Sequence, residues 1–380
     1  MMSLTDALTL KDELCKEVGR LLGPELRAQA LRDSHARRRP IGCGLTVHIG
    51  YGCDNMCAYC YVPDMGFGFT VKPSPLTPLQ LVYALLSNPY FVPGPLGTFL
   101  ALGSVCDPLH PVLIDKTIDF ISCFREYMGN PIQLSTKMAV DEETARRLRK
   151  ASKGMLSPLV TIVTIRASRL LEPKAPSPHM RLESISNLRA VGLKPHVFIR
   201  PVIPGVTDVE AEEILRESAR HGAVGAVIGD LRLTKRIVER LRAIGLDVQA
   251  IVTRAKTPIS SSRQVVVDVG YERRMIVRLA RSRGMVAHLR ACCANAYDHE
   301  VPCMGSCWET RSCTRCPNNC LTKLPEVDEA EVLEALSYLG VKARSIHVTR
   351  NTLVIHAAQK VPGHVKYVLA TYYRRRVRLT

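Results

Sequence analysis

Three closely spaced cysteines are the residues of this sequence best suited to chemistry. Cys53, Cys57 and Cys60 are separated by three and then two residues, directly after an apolar run of strand length. Three thiolates on one loop can ligate three irons of a cubane [4Fe–4S] cluster and leave the fourth iron open to a small molecule. A zinc site would need a fourth ligand, and the nearest candidate, His48, falls within the predicted strand. The spacing therefore favours an iron–sulfur cluster.

The segments around this loop alternate between strand and helix patterns. The predicted strands are 46–50, 98–103, 132–136, 159–165, 196–202 and 223–231, and several are continuously apolar, as in parallel strands covered on both faces. Amphipathic helices are predicted at 141–151, 180–191 and 208–221. This alternation predicts an α/β fold, either an open parallel sheet or a partial barrel, with the functional loops at the carboxyl ends of the strands.

Composition limits the class of protein. Of the 380 residues 46% are hydrophobic and 23% are charged, which excludes a mainly disordered chain. No apolar run is long enough for a membrane helix, and the N-terminus has no apolar signal segment, so we expect a cytoplasmic protein without membrane contact. In that compartment, 14 cysteines indicate metal or redox chemistry more often than disulfides.

With Tyr59 preceding the third cysteine, the loop resembles the signature of radical S-adenosylmethionine (radical SAM) enzymes. Further blocks occur in the order seen in the spore photoproduct lyase-like (DNA repair photolyase-like) subgroup: Gly103-Ser104-Val105-Cys106-Asp107-Pro108, 134–137, 171–176, 200–208 and 229–233. The resemblance covers about residues 41–235. It implies a partial (β/α)6 TIM-like barrel whose cluster cleaves S-adenosylmethionine to a hydrogen-abstracting 5′-deoxyadenosyl radical. An electron donor such as ferredoxin or flavodoxin is also implied.

The resemblance carries over to particular positions. It places Tyr59 beside the adenine, and Cys106 near a position where the subgroup has a hydrogen donor, although Ser104 is an alternative for that place. A buried structural thiol is the other interpretation of Cys106. The remaining expected ligand contacts are Gly103 and Ser104 with the methionyl amino group, Lys137, Thr164 and Arg166 with the carboxylate or ribose, and Arg200 with the adenosyl group.

A second cysteine group follows the predicted sheet, in a segment that looks too irregular for a helix or strand. Its seven members are Cys292, Cys293, Cys303, Cys307, Cys313, Cys316 and Cys320. An auxiliary [4Fe–4S] cluster, a structural zinc site and disulfides are all compatible with such a group. We expect a second metal site, with an auxiliary cluster ahead of zinc.

We predict four regions: a helical N-terminal extension at 1–40, the radical SAM partial barrel at 41–290, a Cys-rich module at 291–325 and a small basic α+β domain at 326–380. In the last we expect a helix at 327–339 and strands at 345–355 and 365–373. This domain has no Asp or Glu after residue 334, and Tyr372 and Tyr373 adjoin the basic run that starts at Arg374.

The net charge of +17 points to a polyanionic partner. Other basic groups lie at 37–39 and 273–283. A radical SAM enzyme acting on nucleic acid, tRNA ahead of DNA, for modification or repair is therefore the predicted function, with the two C-terminal tyrosines stacking on bases. The alternatives are a radical SAM enzyme that matures a peptide or protein, and a non-catalytic iron–sulfur or zinc protein that binds nucleic acid.

Overall fold

A parallel sheet of seven strands forms the centre of the computed structural model, which describes residues 2–40, 44–261, 263–304 and 316–380. The strands within these residues are β1 (Leu45–Val47), β2 (Gly50–Tyr51), β3 (Lys72–Pro73), β4 (Leu100–Leu102), β5 (Ile132–Thr136), β6 (Leu156–Thr161), β7 (His196–Ile199), β8 (Gly225–Ile228), β9 (Arg232–Leu233), β10 (Val265–Val266), β11 (Val286–His288), β12 (Ala343–Val348), β13 (Thr352–Ala357) and β14 (Arg376–Leu379). The central sheet has the order β1-β4-β5-β6-β7-β8-β11, so each of its strands pairs with the sheet strand that precedes it in the chain.

Helices connect these strands. They are α1 (Leu4–Arg32), α2 (Pro78–Ser87), α3 (Ile114–Tyr127), α4 (Glu142–Ala151), α5 (Ser168–Leu171), α6 (Pro178–Ala190), α7 (Thr207–Arg220), α8 (Lys235–Ala243), α9 (Val248–Val252), α10 (Gly270–Ser282), α11 (Ala291–Asp298), α12 (Glu329–Tyr338) and α13 (Gly363–Tyr373). Polar caps begin several of them: Asp141, for example, accepts a hydrogen bond from the backbone N–H of Thr144 at the start of α4. Within the described chain, no helix combines the length and apolarity needed to cross a bilayer.

The predicted α/β class, with parallel strands and connecting helices in the order of a partial barrel, is confirmed. All six predicted sheet strands are present, and every residue of β6 is buried, as expected for a strand covered on both faces. Its bounds differ from the prediction because pairing with β5 begins at Leu156. The sheet also has a seventh strand, β11, whose three residues were too few to stand out in the sequence.

The C-terminal domain is a three-stranded sheet with two helices, which confirms a small α+β unit. The predicted strand at 365–373 is wrong, because this segment is helix α13. Val365, Val368, Leu369, Tyr372 and Tyr373 are its buried apolar positions. That spacing is the period of an amphipathic helix, and it outweighs the preference of valine and tyrosine for strands.

The N-terminal helix α1 joins the two parts of the molecule. Leu4, Ala7 and Leu8 belong to the core of the C-terminal domain, whereas Val18 and Leu22 belong to the core of the parallel-sheet region. Helical character at the N-terminus is therefore confirmed. A different expectation fails in the Cys-rich segment, where Cys292 and Cys293 lie on helix α11.

Candidate active site

A cavity of about 910 Å³ opens at the carboxyl ends of the seven parallel strands. Its walls include all three cysteines of the first group, and also Tyr59, Gly103, Ser104, Cys106, Lys137 and Arg200. These residues are far apart in the sequence, and the parallel arrangement of the strands brings them to one edge of the sheet. The structure thus gathers most of the predicted site in one place.

The cysteine loop begins where β2 pairs with β3. A Cβ atom on Gly52, at φ +80°, would lie 2.1 Å from the carbonyl oxygen of Thr70, so only glycine fits there. From α8, Arg240 donates a 3.1 Å hydrogen bond to the carbonyl of Ala58 and pairs with Asp64 at 3.1 Å. Arg240 therefore holds the loop in place, a role that nothing in its local sequence indicates.

The three thiols share one chemical environment. Burial raises the pKa of Cys53 to about 11 and raises the pKa of Cys57 and Cys60 as well, while the ammonium of Lys137 acts in the opposite direction on all three. Such thiols stay protonated near neutral pH unless a strong cation displaces the proton, as thiophilic metal centres do. Three thiols beside one lysine are thus a donor set that fits an iron–sulfur cluster.

The described residues contain no group of three or more His, Cys, Asp or Glu side chains arranged to hold a single metal ion. A zinc ion lies about 2.3 Å from each thiolate, which brings its ligands to within about 4 Å of one another. A cubane cluster places its thiolates farther apart because they bind different irons.

Lys137 and Tyr59 meet inside the cavity. The Lys137 ammonium lies 5.4 Å from the centroid of the Tyr59 ring, and the Tyr59 hydroxyl donates a hydrogen bond to Glu172. Arg181 donates to the other oxygen of Glu172 at 2.6 Å, and both side chains of this ion pair are fully buried. Burial alone would lower the pKa of Lys137, but Coulombic attraction to Cys57 in its thiolate form and to the Glu172 carboxylate outweighs it, so the pKa is raised. The lysine is therefore charged and available to an anionic ligand.

Asp107 organises the neighbouring strand ends. Its carboxylate accepts hydrogen bonds from the Lys137 backbone N–H and the Thr136 hydroxyl, both at 2.7 Å. Gly103, at φ +99°, lets the chain pass so closely that a Cβ atom would lie 2.4 Å from the Ser135 carbonyl oxygen. A glycine is required there for the same reason as in the cysteine loop.

Two polar groups next to this glycine are suited to contact a ligand or substrate. The Ser104 hydroxyl is buried and has no hydrogen-bond partner among the described residues, although a buried polar group normally has one. Cys106 is buried as well, and burial together with Asp107 raises the pKa of its thiol to about 12. Cys106 therefore carries its proton at neutral pH, as a hydrogen-atom donor must.

Two predicted ligand residues lie outside the cavity walls. The Thr164 hydroxyl donates to Glu210 at 2.7 Å, and Arg166 pairs with Glu213 at 2.7 Å on the exposed side of α7. These partners give both side chains a structural task, and their predicted contact with the cofactor is untested. Arg200 does line the cavity, and its contact with the adenosyl group stays a prediction.

The cavity wall is strongly basic. Besides Lys137 it contains Arg38, Arg39, Arg200, Arg232, Arg273 and Arg290, against the two carboxylates of Asp107 and Asp230. Arg273 pairs with Asp230 at 2.6 Å. The side chains of Arg200, Arg232 and Arg290 form no hydrogen bond or ion pair within the described part of the chain. Arg232, within the 229–233 block, and Arg290 were not singled out as ligand-contacting residues, because isolated arginines give no signal of their position.

The second cysteine group lies beside the same cavity. Cys292 and Cys293 line it, and the sulfur of buried Cys303 lies 3.9 Å from that of Cys292. The backbone N–H of Cys303 points to the sulfur of Cys320 at 3.4 Å. Cys316 is partly exposed, and Cys307 and Cys313 lie outside the described residues. Cys292 is disulfide-bonded, which is the third of the alternatives raised above, so its metal role stays a prediction.

The first two arginines of the C-terminal basic run are buried, whereas Arg376 and Arg378 are exposed. Tyr372, Tyr373, Arg374 and Arg375 are all buried, and Arg375 donates hydrogen bonds to three carbonyl groups, among them that of Pro325 at 2.9 Å. The tyrosines therefore cannot stack on bases, and that expectation is wrong. Charge runs in a sequence do not reveal whether tertiary packing covers them.

The class of protein follows from this fold and from comparison with known sequences. Residues 47–217 match the Radical SAM superfamily. The chain therefore contains a radical SAM domain.

Particular relatives add the following. An uncharacterized protein of Mycobacterium tuberculosis is 26% identical over 245 residues, which are 60% of this chain and 66% of that protein. An uncharacterized protein of Acidianus two-tailed virus is 25% identical over 211 residues, 50% of this chain and 67% of its own length. The chain thus spans about two thirds of the length of these relatives.

Among solved structures, spore photoproduct lyase is similar in fold. A variant of it with bound AdoMet and dinucleoside spore photoproduct has a TM-score of 0.51 and 18% sequence identity, covering 70% of this chain and 84% of that one. The enzyme complexed with dinucleoside spore photoproduct has a TM-score of 0.50 and 18% identity, covering 64% and 75%. At this identity the likeness shows a shared fold.

Proposed function

We propose that this radical SAM enzyme holds a [4Fe–4S] cluster on Cys53, Cys57 and Cys60 and removes a hydrogen atom from a nucleic acid bound in the cavity. One observation carries the proposal: the cavity that contains the three thiols also contains arginines without an anionic partner among the described residues. A cofactor site and a site for a polyanion thus occupy one space.

The cluster, once loaded and given an electron by a ferredoxin or flavodoxin, supplies the chemistry that converts S-adenosylmethionine to the 5′-deoxyadenosyl radical. The protein's own residues bind and position. Lys137 presents a positive charge to the carboxylate of S-adenosylmethionine, and the Ser104 hydroxyl offers an unused hydrogen bond. Cys106 provides a protonated thiol at the cavity wall. Arg240, Glu172 and Arg181 keep the loop and Tyr59 in position.

A nucleic-acid substrate is supported by charge and by analogy. Arg232 and Arg290 are exposed at the cavity, where they are able to contact backbone phosphates. The dinucleoside photoproduct bound to spore photoproduct lyase is a nucleic-acid fragment in the same fold. The C-terminal domain gives no preference for tRNA over DNA, because the tyrosines expected to stack on bases are buried.

The cofactor part of the proposal is tested by removal of the thiols. Replacing Cys53, Cys57 and Cys60 with alanine removes about four irons per chain after anaerobic reconstitution, together with all 5′-deoxyadenosine formation under chemical reduction. Cys123→Ala, on α3 and outside the cavity wall, is the control and retains both. Turnover by the triple variant contradicts the assignment.

The substrate part is tested by binding of tRNA and of single- and double-stranded DNA at several salt concentrations. The double variant Arg232→Gln and Arg290→Gln weakens binding and makes the salt dependence shallower, by a slope of up to about 0.7 to 0.9 for each arginine–phosphate pair that it removes. The matched control changes two exposed arginines of the C-terminal domain, Arg344→Gln and Arg378→Gln, and keeps the wild-type slope.

Equal binding by both double variants contradicts the cavity as the nucleic-acid site. A polypeptide that co-purifies with the enzyme, in place of nucleic acid, supports peptide or protein maturation.

A further inference from the structure

A buried arginine from the C-terminal domain faces the second cysteine group. Arg374 follows α13 in the left-handed conformation, at φ +54°, and its side chain is 1% exposed. One nitrogen donates to the Gly97 carbonyl at 3.1 Å, and the guanidinium lies 4.9 Å from the centroid of the Phe99 ring. Its Nε and the other Nη are buried without a hydrogen-bond partner among the described residues.

Such an arrangement is costly unless an anion lies nearby. An isolated buried charge is strongly destabilising, and buried arginines are almost always paired. No carboxylate pairs with Arg374 within the described residues. Among the described residues, the groups that act on it electrostatically are Cys303 and Cys320. A neutral thiol would be a poor counter-charge, whereas a metal-bound thiolate would be a good one.

The surroundings of the Cys320 sulfur resemble those of a thiolate, and Cys303 lies beside the aromatic ring that Arg374 contacts. Cys303 is 2% exposed and packs with Phe99, the ring over which Arg374 lies. The sulfur of Cys320 receives two N–H groups, from the Cys303 backbone at 3.4 Å and from the Asn318 amide at 3.1 Å. Lys323 in turn holds the Asn318 amide oxygen at 2.8 Å, so the donor nitrogen is turned toward the sulfur.

We propose that Cys303 and Cys320 are thiolate ligands of a second metal centre, and that Arg374 is the built-in positive charge that balances it. An iron–sulfur cluster or a zinc ion carries a net negative charge once more than two thiolates bind it, so either balances the arginine when a further thiolate joins Cys303 and Cys320. The proposal uses residues outside the first cysteine loop and does not depend on the identity of the substrate.

This assignment gives the C-terminal domain a task. The domain delivers the arginine at the point where α13 ends, next to the start of β14. Since Cys292 and Cys293 line the cavity, the second centre would lie between the catalytic cavity and this domain.

The test uses the full chain with Cys53, Cys57 and Cys60 replaced by alanine, so that only the second centre can bind metal. After reconstitution under reducing conditions we expect about four irons with sulfide, or about one zinc, per chain. The metal found distinguishes the two kinds of centre. A folded protein that binds neither iron nor zinc would overturn the proposal.

The role of the arginine is tested in the same background by competition with a chelator. Arg374→Met keeps the bulk but removes the charge, and should weaken metal retention at least tenfold, whereas Arg374→Lys should restore most of it. The matched control is Arg375→Met, which removes a neighbouring buried arginine whose hydrogen bonds go to carbonyl groups. It is expected to lower stability and to keep the metal.

Equal retention by Arg374→Met and the parent, or equal loss in Arg375→Met, would show that Arg374 only holds the domains together. If Arg374→Met does not fold, Cys303→Ala is compared with Cys123→Ala in the same background. Loss of metal in the first and not in the second supports the ligand assignment, and retention in both refutes it.

Discussion

The ammonium of Lys137 lies 5.4 Å from the centroid of the Tyr59 ring, so a lysine at the end of β5 and the aromatic residue of the cysteine loop face each other inside the cavity. The two residues are tied down from opposite sides. Asp107 accepts a hydrogen bond from the Lys137 backbone, and Glu172 accepts one from the Tyr59 hydroxyl. The Tyr59 side chain and the Lys137 backbone are therefore each held by a buried carboxylate.

Lys137→Met should leave the iron content unchanged and raise the S-adenosylmethionine concentration needed for half-maximal 5′-deoxyadenosine formation at least tenfold. The reason is the loss of a charge-assisted interaction with an anionic ligand in a partly desolvated site. Initial rates measured over a range of S-adenosylmethionine concentrations test this. Lys116→Met is the control, because Lys116 bonds to the Ser74 carbonyl outside the cavity wall. An unchanged half-saturation point would remove Lys137 from the binding site.

Gly103→Ala should destabilise the protein by at least about 2 kcal/mol more than Gly192→Ala. Both glycines have positive φ, and both variants therefore incur roughly 1–2 kcal/mol of backbone strain. Only at Gly103 does the added Cβ meet another atom, 2.4 Å from the Ser135 carbonyl oxygen, whereas Gly192 has open space. Urea unfolding of both variants measures the difference, and similar losses would mean that the strand ends adjust freely.

Glu172→Gln should cost about 3–5 kcal/mol of unfolding free energy, because it leaves Arg181 buried without its counter-charge. The comparison is Glu142→Gln, which breaks an exposed pair with Arg146 and should cost under about 1 kcal/mol. Chemical denaturation gives both values. A small loss for Glu172→Gln would indicate that water or another group reaches Arg181.

Cys106→Ala should keep the cluster and the cleavage of S-adenosylmethionine, and should lower the yield of modified substrate per 5′-deoxyadenosine at least tenfold. With a thiol pKa of about 12, only about one molecule in 10⁴ is thiolate at pH 8, so the S–H hydrogen is present for transfer. The ratio of the two products, measured by mass spectrometry, checks this. Cys15→Ala on α1 is the control, and an unchanged ratio in Cys106→Ala would make Cys106 a structural thiol.

Because of Lys11, the unfolding free energy should increase as the pH rises from about 8 to 10. Burial lowers the pKa of this lysine to about 8, and its ammonium donates to the Asn88 carbonyl at 2.7 Å. Because the unfolded chain holds the proton up to about pH 10.4, it binds more protons than the folded chain between pH 8 and 10, and unfolding free energy increases through that window.

We therefore expect the stability difference between the wild type and Lys11→Met to change by about 2 kcal/mol from pH 7 to pH 10, in favour of the wild type. Lys16→Met, at an exposed position of the same helix, should show no such change. Unfolding free energies measured at several pH values test this expectation. If they change with pH in the same way for both variants, the Lys11 ammonium lies in water.

Much of the candidate active site was visible in the sequence, because its signals are local. The spacing of Cys53, Cys57 and Cys60 is a property of the covalent chain. The alternation of strands and helices is indicated by the periodicity of apolar residues within short segments. Parallel strands then place Gly103, Lys137 and Arg200 at one edge, as any right-handed strand–helix repeat does. The spacing of apolar residues in α13 also indicates a helix, but its valine and tyrosine residues favour a strand, and the strand was predicted.

Tertiary structure alone decided where the charges lie. Arg374 and Arg375 look like surface residues in a basic run, yet folding buries them, while the isolated Arg232 and Arg290 reach the cavity. Partners of this kind lie far apart in the chain: 182 residues separate Arg240 from Ala58, and 277 separate Arg374 from Gly97. The energy of a charge depends on what packs around it and how much water that packing removes. Local spacing carries no information about either quantity, so only the folded chain reveals them.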